Sequence, residues 1–185
     1  MDQHSAIRTP SQRDPDRAVD GQREDEAVVV VGVFADQVDP AWGPHYPTWG
    51  FAEFVLKGIG DWMQVNSEAI YGTTNRISFG EGPNQIKKAG AFNEKDVPAF
   101  NSKDVRFTVN GNALYATVLG WPGETTTIET LNCLYPDEIK SVRMLGVDKE
   151  LEWRLTPEGL TIQTPAHKPC DHAYVFKIVR GQPYP

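Results

Sequence analysis

From Val105 to Ile178 the apolar residues of this chain recur at every second position, and turn residues interrupt that rhythm again and again. A period of two places one set of side chains on one face of an extended strand and its neighbours on the other. Val105, Phe107 and Val109 alternate with polar residues before the turn signal Asn110-Gly111. Ala113–Leu119 is apolar on both faces, as a central strand would be. Thr126, Ile128 and Thr130 alternate again, and Ile139–Leu145 ends at Gly146. Leu151, Trp153 and Leu155 point one way while Glu152 and Arg154 point the other; Thr156-Pro157-Glu158-Gly159 turns the chain, and Leu160 and Ile162 return it. Tyr174, Phe176 and Ile178 close the series before Gly181. Short strands separated by turns, in a chain with 16 glycines and 14 prolines, predict a mainly β fold. The expected architecture is an antiparallel β-sandwich of six to eight strands, with one amphipathic helix and a disordered segment ahead of it.

The front of the chain reads differently. Residues 1–26 hold almost no large apolar groups and cannot offset their ordering entropy, so they are expected to be disordered. Ala27–Phe34 is β-branched and suits a buried strand, and Asp39–Gly50 is broken by proline and glycine into a loop. From Phe51 to Tyr71 the period becomes helical: Phe51, Val55, Ile59, Trp62 and Val65 form one stripe. Thr48 is a plausible N-cap, Asn66–Ser67 a plausible end, and Gly58 and Gly60 weaken the helix enough to require packing. The expected organisation is a disordered segment 1–26, a segment 27–69 that includes helix 51–69, and a sandwich 70–185.

Charge and composition exclude several roles. The net charge of −7 is concentrated at the front: residues 1–69 carry 5 basic and 12 acidic side chains, whereas residues 70–185 carry 13 of each. Neither part has the basic field that nucleic acid requires. No stretch approaches the roughly 20 apolar residues of a membrane span. Ala27–Phe34 follows Glu24-Asp25-Glu26 and makes a poor secretory signal, so the expected location is cytoplasmic by default, or exported if the true amino terminus lies upstream. Cys133 and Cys170 form no disulfide framework and are expected to be reduced thiols.

Three stretches, in order, resemble the end of glycoside hydrolase family 29, the retaining α-L-fucosidases. They are IGDWMQVNSEAIYGT at Ile59–Thr73; FGEGP at Phe79–Pro83 with DVRFTVNGNALYATVLGW at Asp104–Trp121; and the set VRMLG, LEW, GLTI and AYVFKI between Val142 and Ile178. The resemblance covers about Phe51–Arg180. It implies a carboxy-terminal β-sandwich preceded by the last helix of a (β/α)₈ barrel, in a family that hydrolyses α-L-fucosyl linkages. Ser67 stands where a glycine is common, and Ala27–Pro47 lacks the asparagine-rich strand and Gly-Pro turn expected there. The family's two catalytic carboxylates lie upstream of the matched region, so no residue here inherits either role. The chain alone is expected to be inactive, with no catalytic, cofactor or metal residue and no cofactor. Its expected partners are a fucosidase-type barrel on another chain, a fucosylated glycan, or a second copy through helix 51–69. The alternative reading is a carbohydrate-binding sandwich module.

Candidate chemistry within the chain reads blandly. Asp137-Glu138, Asp148 with Glu150, and Glu81 lie in turns, where carboxylates are mostly solvated. Glu68 falls where helix meets sandwich and reads as a cap or an interdomain hydrogen bond. His167, Cys170 and His172 in HKPCDH match no closed zinc spacing. Trp121 and Trp153 could stack on sugars but read as core or interdomain residues, while Trp42, Tyr46 and Trp49 sit in a loop.

Overall fold

The computed structural model describes residues 48–84 and 99–182. Residues 1–26, Ala27–Phe34, Trp42 and Tyr46 lie outside the described residues. Helix α1 runs over Thr48–Asn66 and passes into a 3-10 turn at Ser67–Ala69. It thus starts three residues earlier than the sequence pattern suggests, and Trp49 belongs to the helix, not to a loop.

Among the described residues eight strands follow: β1 (Thr74–Glu81), β2 (Val105–Asn110), β3 (Ala113–Val118), β4 (Thr125–Ile128), β5 (Ile139–Met144), β6 (Trp153–Thr156), β7 (Gly159–Gln163) and β8 (Tyr174–Arg180). They form two antiparallel sheets, one of five strands in the order β1-β2-β3-β8-β5 and one of three in the order β4-β7-β6. Strand β1 was not legible, because Asn75–Gly80 contains a register shift that breaks the period of two. Strand β4 stops at Ile128 and Glu129–Leu131 curls into a 3-10 turn, so Thr130 lies outside the strand.

The alternation places each strand's apolar set as the pattern requires. Phe107, Leu114, Val118, Val142, Phe176 and Ile178 of the large sheet meet Ile128, Leu160 and Ile162 of the small one in a single core. Each such side chain contributes about 1.5–3 kcal/mol when withdrawn from water. The other face of the large sheet carries a second cluster, in which Ala113, Tyr115 and Val175 pack with Trp62 and Ala69. The described residues therefore form three layers: helix, five-stranded sheet, three-stranded sheet. Strand β3 is buried at all six positions because it is central and covered on both faces.

The two long sides of the sandwich close in different ways. On the β5–β6 side backbone does it: Leu151 N–H donates to Val142 O at 2.9 Å, and Arg143 bridges Glu150. On the β1–β4 side a side chain does it: Glu81 accepts Glu129 N–H at 2.9 Å, Thr130 N–H at 2.7 Å, and the Thr130 hydroxyl. Gly159, the first residue of β7 after the turn from β6, has φ +141°, and a Cβ there would lie 2.4 Å from Ile128 O. Only glycine serves at that turn.

Candidate functional site

Two places concentrate polar or unpartnered groups: the seam between helix and large sheet, and the open side between β1 and β4. At the seam the helix's predicted stripe faces the sheet. Trp62 is 1% exposed, and its indole N–H donates to Ala173 O at 2.8 Å. One turn on, Asn66 is fully buried, donating to Trp62 O at 3.1 Å and to the Cys170 sulfur at 3.4 Å. Val55 and Ile59, earlier on the same stripe, are only half-buried, and Phe54 and Leu56 on its two flanks are 61% and 67% exposed. The outermost line of the helix is polar, with Lys57 paired to Asp61 at 2.7 Å. The helix is thus seated at its carboxyl half and apolar but uncovered at its amino half.

Glu68 fixes the end of that seat. Its Oε1 accepts the Tyr115 hydroxyl at 2.7 Å and the Lys177 ammonium. Tyr115 and Lys177 lie directly opposite each other on β3 and β8, so one carboxylate clamps a cross-strand pair. The Lys177 hydrogen bond holds the Glu68 carboxyl below its usual range, and Tyr115 assists. Burial, with Glu68 behind it, pushes the Tyr115 phenol well above its ordinary value. The expected interdomain hydrogen bond from Glu68 is a helix-to-sheet bond within the described residues.

Of the turn carboxylates singled out in the sequence, three have partners. Glu138 pairs with Arg180 at 3.1 Å, Glu150 with Arg143 at 2.8 Å, and both Glu81 oxygens hold the turn after β4. Asp137 and Asp148 are exposed. The HKPCDH loop leaves His167 exposed and turns Cys170 inward, where burial raises its thiol. His172 takes a left-handed φ of 72°, and burial lowers its imidazole. Among the described residues no group of three or more His, Cys, Asp or Glu is placed to hold a metal ion. Cys133 and Cys170 are both free thiols. Among the described residues no helix is long and apolar enough to cross a membrane.

Neither tryptophan singled out in the sequence is a bare platform. Trp121 is half-buried, meets Tyr174 edge-on at 4.8 Å, and has the Lys168 ammonium 5.8 Å above its ring. Trp153 is half-buried against the sandwich core and pairs with Ile162. It is less enclosed than a strictly alternating core position would be, because β6 is an edge strand.

The residues that build the open side escaped the sequence reading. Asp104 is fully buried and accepts Asn84 N–H at 2.9 Å, the Asn84 amide at 3.0 Å and Asn101 N–H at 2.8 Å. It thereby joins the two ends of the chain that flank residues 85–98. Beside it, between the end of β1 and β4, lies a cleft of about 460 Å³ whose walls include Pro83, Lys103, Pro122 and Thr125. The Glu-Gly-Pro triplet at 81–83 was the available signal, since Gly82 sits at φ +121° where a Cβ would meet Lys103 O at 2.5 Å.

The class of domain that the described residues define is a helix-backed antiparallel sandwich of two sheets. Residues 99–179 match the family described as alpha-L-fucosidase C-terminal domain, and this chain carries a domain of that family. Tissue alpha-L-fucosidase of Bos taurus is 30% identical over 129 residues, covering 66% of this chain and 23% of its own length. The alpha-L-fucosidase of Branchiostoma floridae is 27% identical over 128 residues, covering 66% of this chain and 24% of its own. The chain thus spans about a quarter of the length of these relatives. A solved alpha-L-fucosidase superposes with a TM-score of 0.50 at 24% identity, over 70% of this chain and 25% of its own, which speaks to the fold.

Proposed function

We propose that this chain acts as the carboxy-terminal accessory domain of an α-L-fucosidase-like glycoside hydrolase, docking a catalytic barrel against the amino half of helix α1 and hydrolysing no fucoside by itself. The observation that carries this reading is the divided helix. Its carboxyl half is spent on the sandwich through Trp62 and Asn66, while Phe54 and Leu56 leave an apolar arc uncovered at the other end. An apolar arc wider than its seat is what a helix shared between two bodies requires. The matched segment is only about a quarter of the length of the curated relatives, which leaves room in them for a second body.

A chimera tests it. Residues 48–182 would replace the equivalent carboxy-terminal part of the Bos taurus enzyme, with the truncated enzyme as control. The chimera is expected to melt higher than the truncated enzyme and to release fucose from an aryl α-L-fucoside, while the present chain alone releases none. Phe54→Ser with Leu56→Ser should cancel that gain. A chimera no more stable than the truncated enzyme refutes the docking role, and turnover by the chain alone refutes its inactivity.

A further inference from the structure

We propose that the cleft on the open side of the sandwich, between the end of β1 and β4, is a binding subsite for a neutral saccharide. This goes beyond the docking role, since it needs no catalytic partner. Its volume, about 460 Å³, falls within the range of small-ligand sites and suits one or two sugar rings.

The lining selects the ligand by elimination. One wall is β4, whose Thr125 and Thr127 are exposed; the facing wall is Ser102 and Lys103. Hydroxyl groups both donate and accept, which is the pairing a polyol demands. The cleft is lined by side chains of both signs, Lys103 and Glu129, neither of which belongs to an ion pair. A phosphate would meet Glu129, a metal ion would meet Lys103, and an apolar ligand would strand the hydroxyls without partners. Pro83 and Pro122 add the C–H surface that sugar rings pack on. What remains is a ligand without charge and rich in hydroxyls.

The cleft is built before any ligand arrives. The second carboxylate in its wall, Glu81, has both oxygens committed to Glu129 N–H and to Thr130, so it braces the turn and does not bind. Gly82 is pressed against Lys103 O, and Asp104 pins Asn84 and Asn101 just behind. A wall held by so many fixed hydrogen bonds loses little freedom on binding.

The experiment is a titration of the full ¹⁵N-labelled chain with methyl α-L-fucopyranoside, methyl β-D-galactopyranoside, inorganic phosphate and calcium as separate probes. At least one sugar is expected to give saturable shifts at the amides of Gly82, Ser102, Lys103 and Thr125–Glu129, with millimolar affinity on the order of −4 kcal/mol. Thr125→Val with Lys103→Met, both exposed positions, should weaken that sugar at least tenfold and leave the melting temperature unchanged. Absence of saturable shifts with either sugar overturns the proposal. So does sugar binding indifferent to the double variant, or saturation by phosphate or calcium at these amides. Failure here leaves the chimera result untouched, because none of these residues lies on helix α1.

Discussion

Trp62→Ala is the substitution that asks most directly whether helix and sandwich are one folding unit. The indole is 1% exposed and sits between the helix and β3, β8 and the turn before β8. Removing a buried tryptophan costs about 3–5 kcal/mol through lost transfer energy and the cavity left behind. Its N–H to Ala173 O bond, at 2.8 Å, adds about 1 kcal/mol, tempered because the Cys170 thiol also reaches that carbonyl at 3.4 Å. A small domain has about 5–15 kcal/mol in all, so Trp62→Ala should remove a large share. With a urea dependence of about 2 kcal/mol/M, the midpoint falls by about 2 M. Trp62→Phe retains a ring and loses the hydrogen bond, so it should cost about 1–2 kcal/mol and fall between. The assay is urea unfolding followed by far-ultraviolet circular dichroism, with the slope checked for each variant. A midpoint within error of the parent would refute the seat at Trp62. Two separated transitions in the parent would refute the single unit.

Glu68→Gln should cost about 0.5–1 kcal/mol at neutral pH, since the pair with Lys177 is half-exposed and solvent screens it. Because the folded carboxyl titrates below its unfolded value, its contribution is complete above the unfolded pKa and disappears as pH falls through the lower folded one. Melting curves from pH 7 to pH 3 should therefore converge for parent and variant at the acid end, and parallel curves would contradict the clamp. Asp104→Ala leaves three donors without their carboxylate and should cost about 2–3 kcal/mol by urea unfolding; a silent substitution would show that the chain ends around 85–98 are held by other means. Trp153→Ala should cost less than the about 3–5 kcal/mol of an enclosed tryptophan, because its edge strand leaves it half-buried, and a cost equal to that of Trp62→Ala would mean the edge is better covered than it looks.

What was legible in the sequence follows from which physical constraint leaves a periodic trace. Phe107, Leu114, Leu160, Ile162 and Phe176 alternate because a sheet with a buried face enforces a period of two, and all of them are core. Strand β3 announced its central place by being apolar on both faces, and the stripe Val55, Ile59, Trp62 announced the seated side of the helix. Strand β1 left no such trace: its ladder slips between Asn75 and Gly80, so the side chains do not alternate in step. The clamps were invisible for another reason. Glu81 reaches Thr130 across 49 residues and Asp104 reaches Asn84 across 20, and a single carboxylate in a turn looks the same whether solvated or bound. Trp153 was over-read, because alternation tells which face a residue occupies but not whether its strand lies at an edge.

The two outer surfaces of the three-layer arrangement differ in a way that bears on the proposed docking. On the small sheet, Thr125, Thr127, Arg154 and Gln163 face water, and the cross-strand contact there is a hydroxyl pair, Thr127 with Thr161 at 3.1 Å. Such a surface is already satisfied by solvent and gains little by being covered. The opposite surface is the helix, where polar Lys57 and Asp61 hold only the outermost line and Phe54 and Leu56 flank it. Covering those two side chains returns about 1.5–3 kcal/mol each, whereas covering the threonine face would require its hydroxyls to be re-paired. The proposed second body would therefore dock on the helix layer and, within it, on the amino half, since Trp62, Asn66 and Glu68 have already committed the carboxyl half to the sheet. The saccharide cleft opens on a different side, between β1 and β4, so occupancy of one place does not obstruct the other.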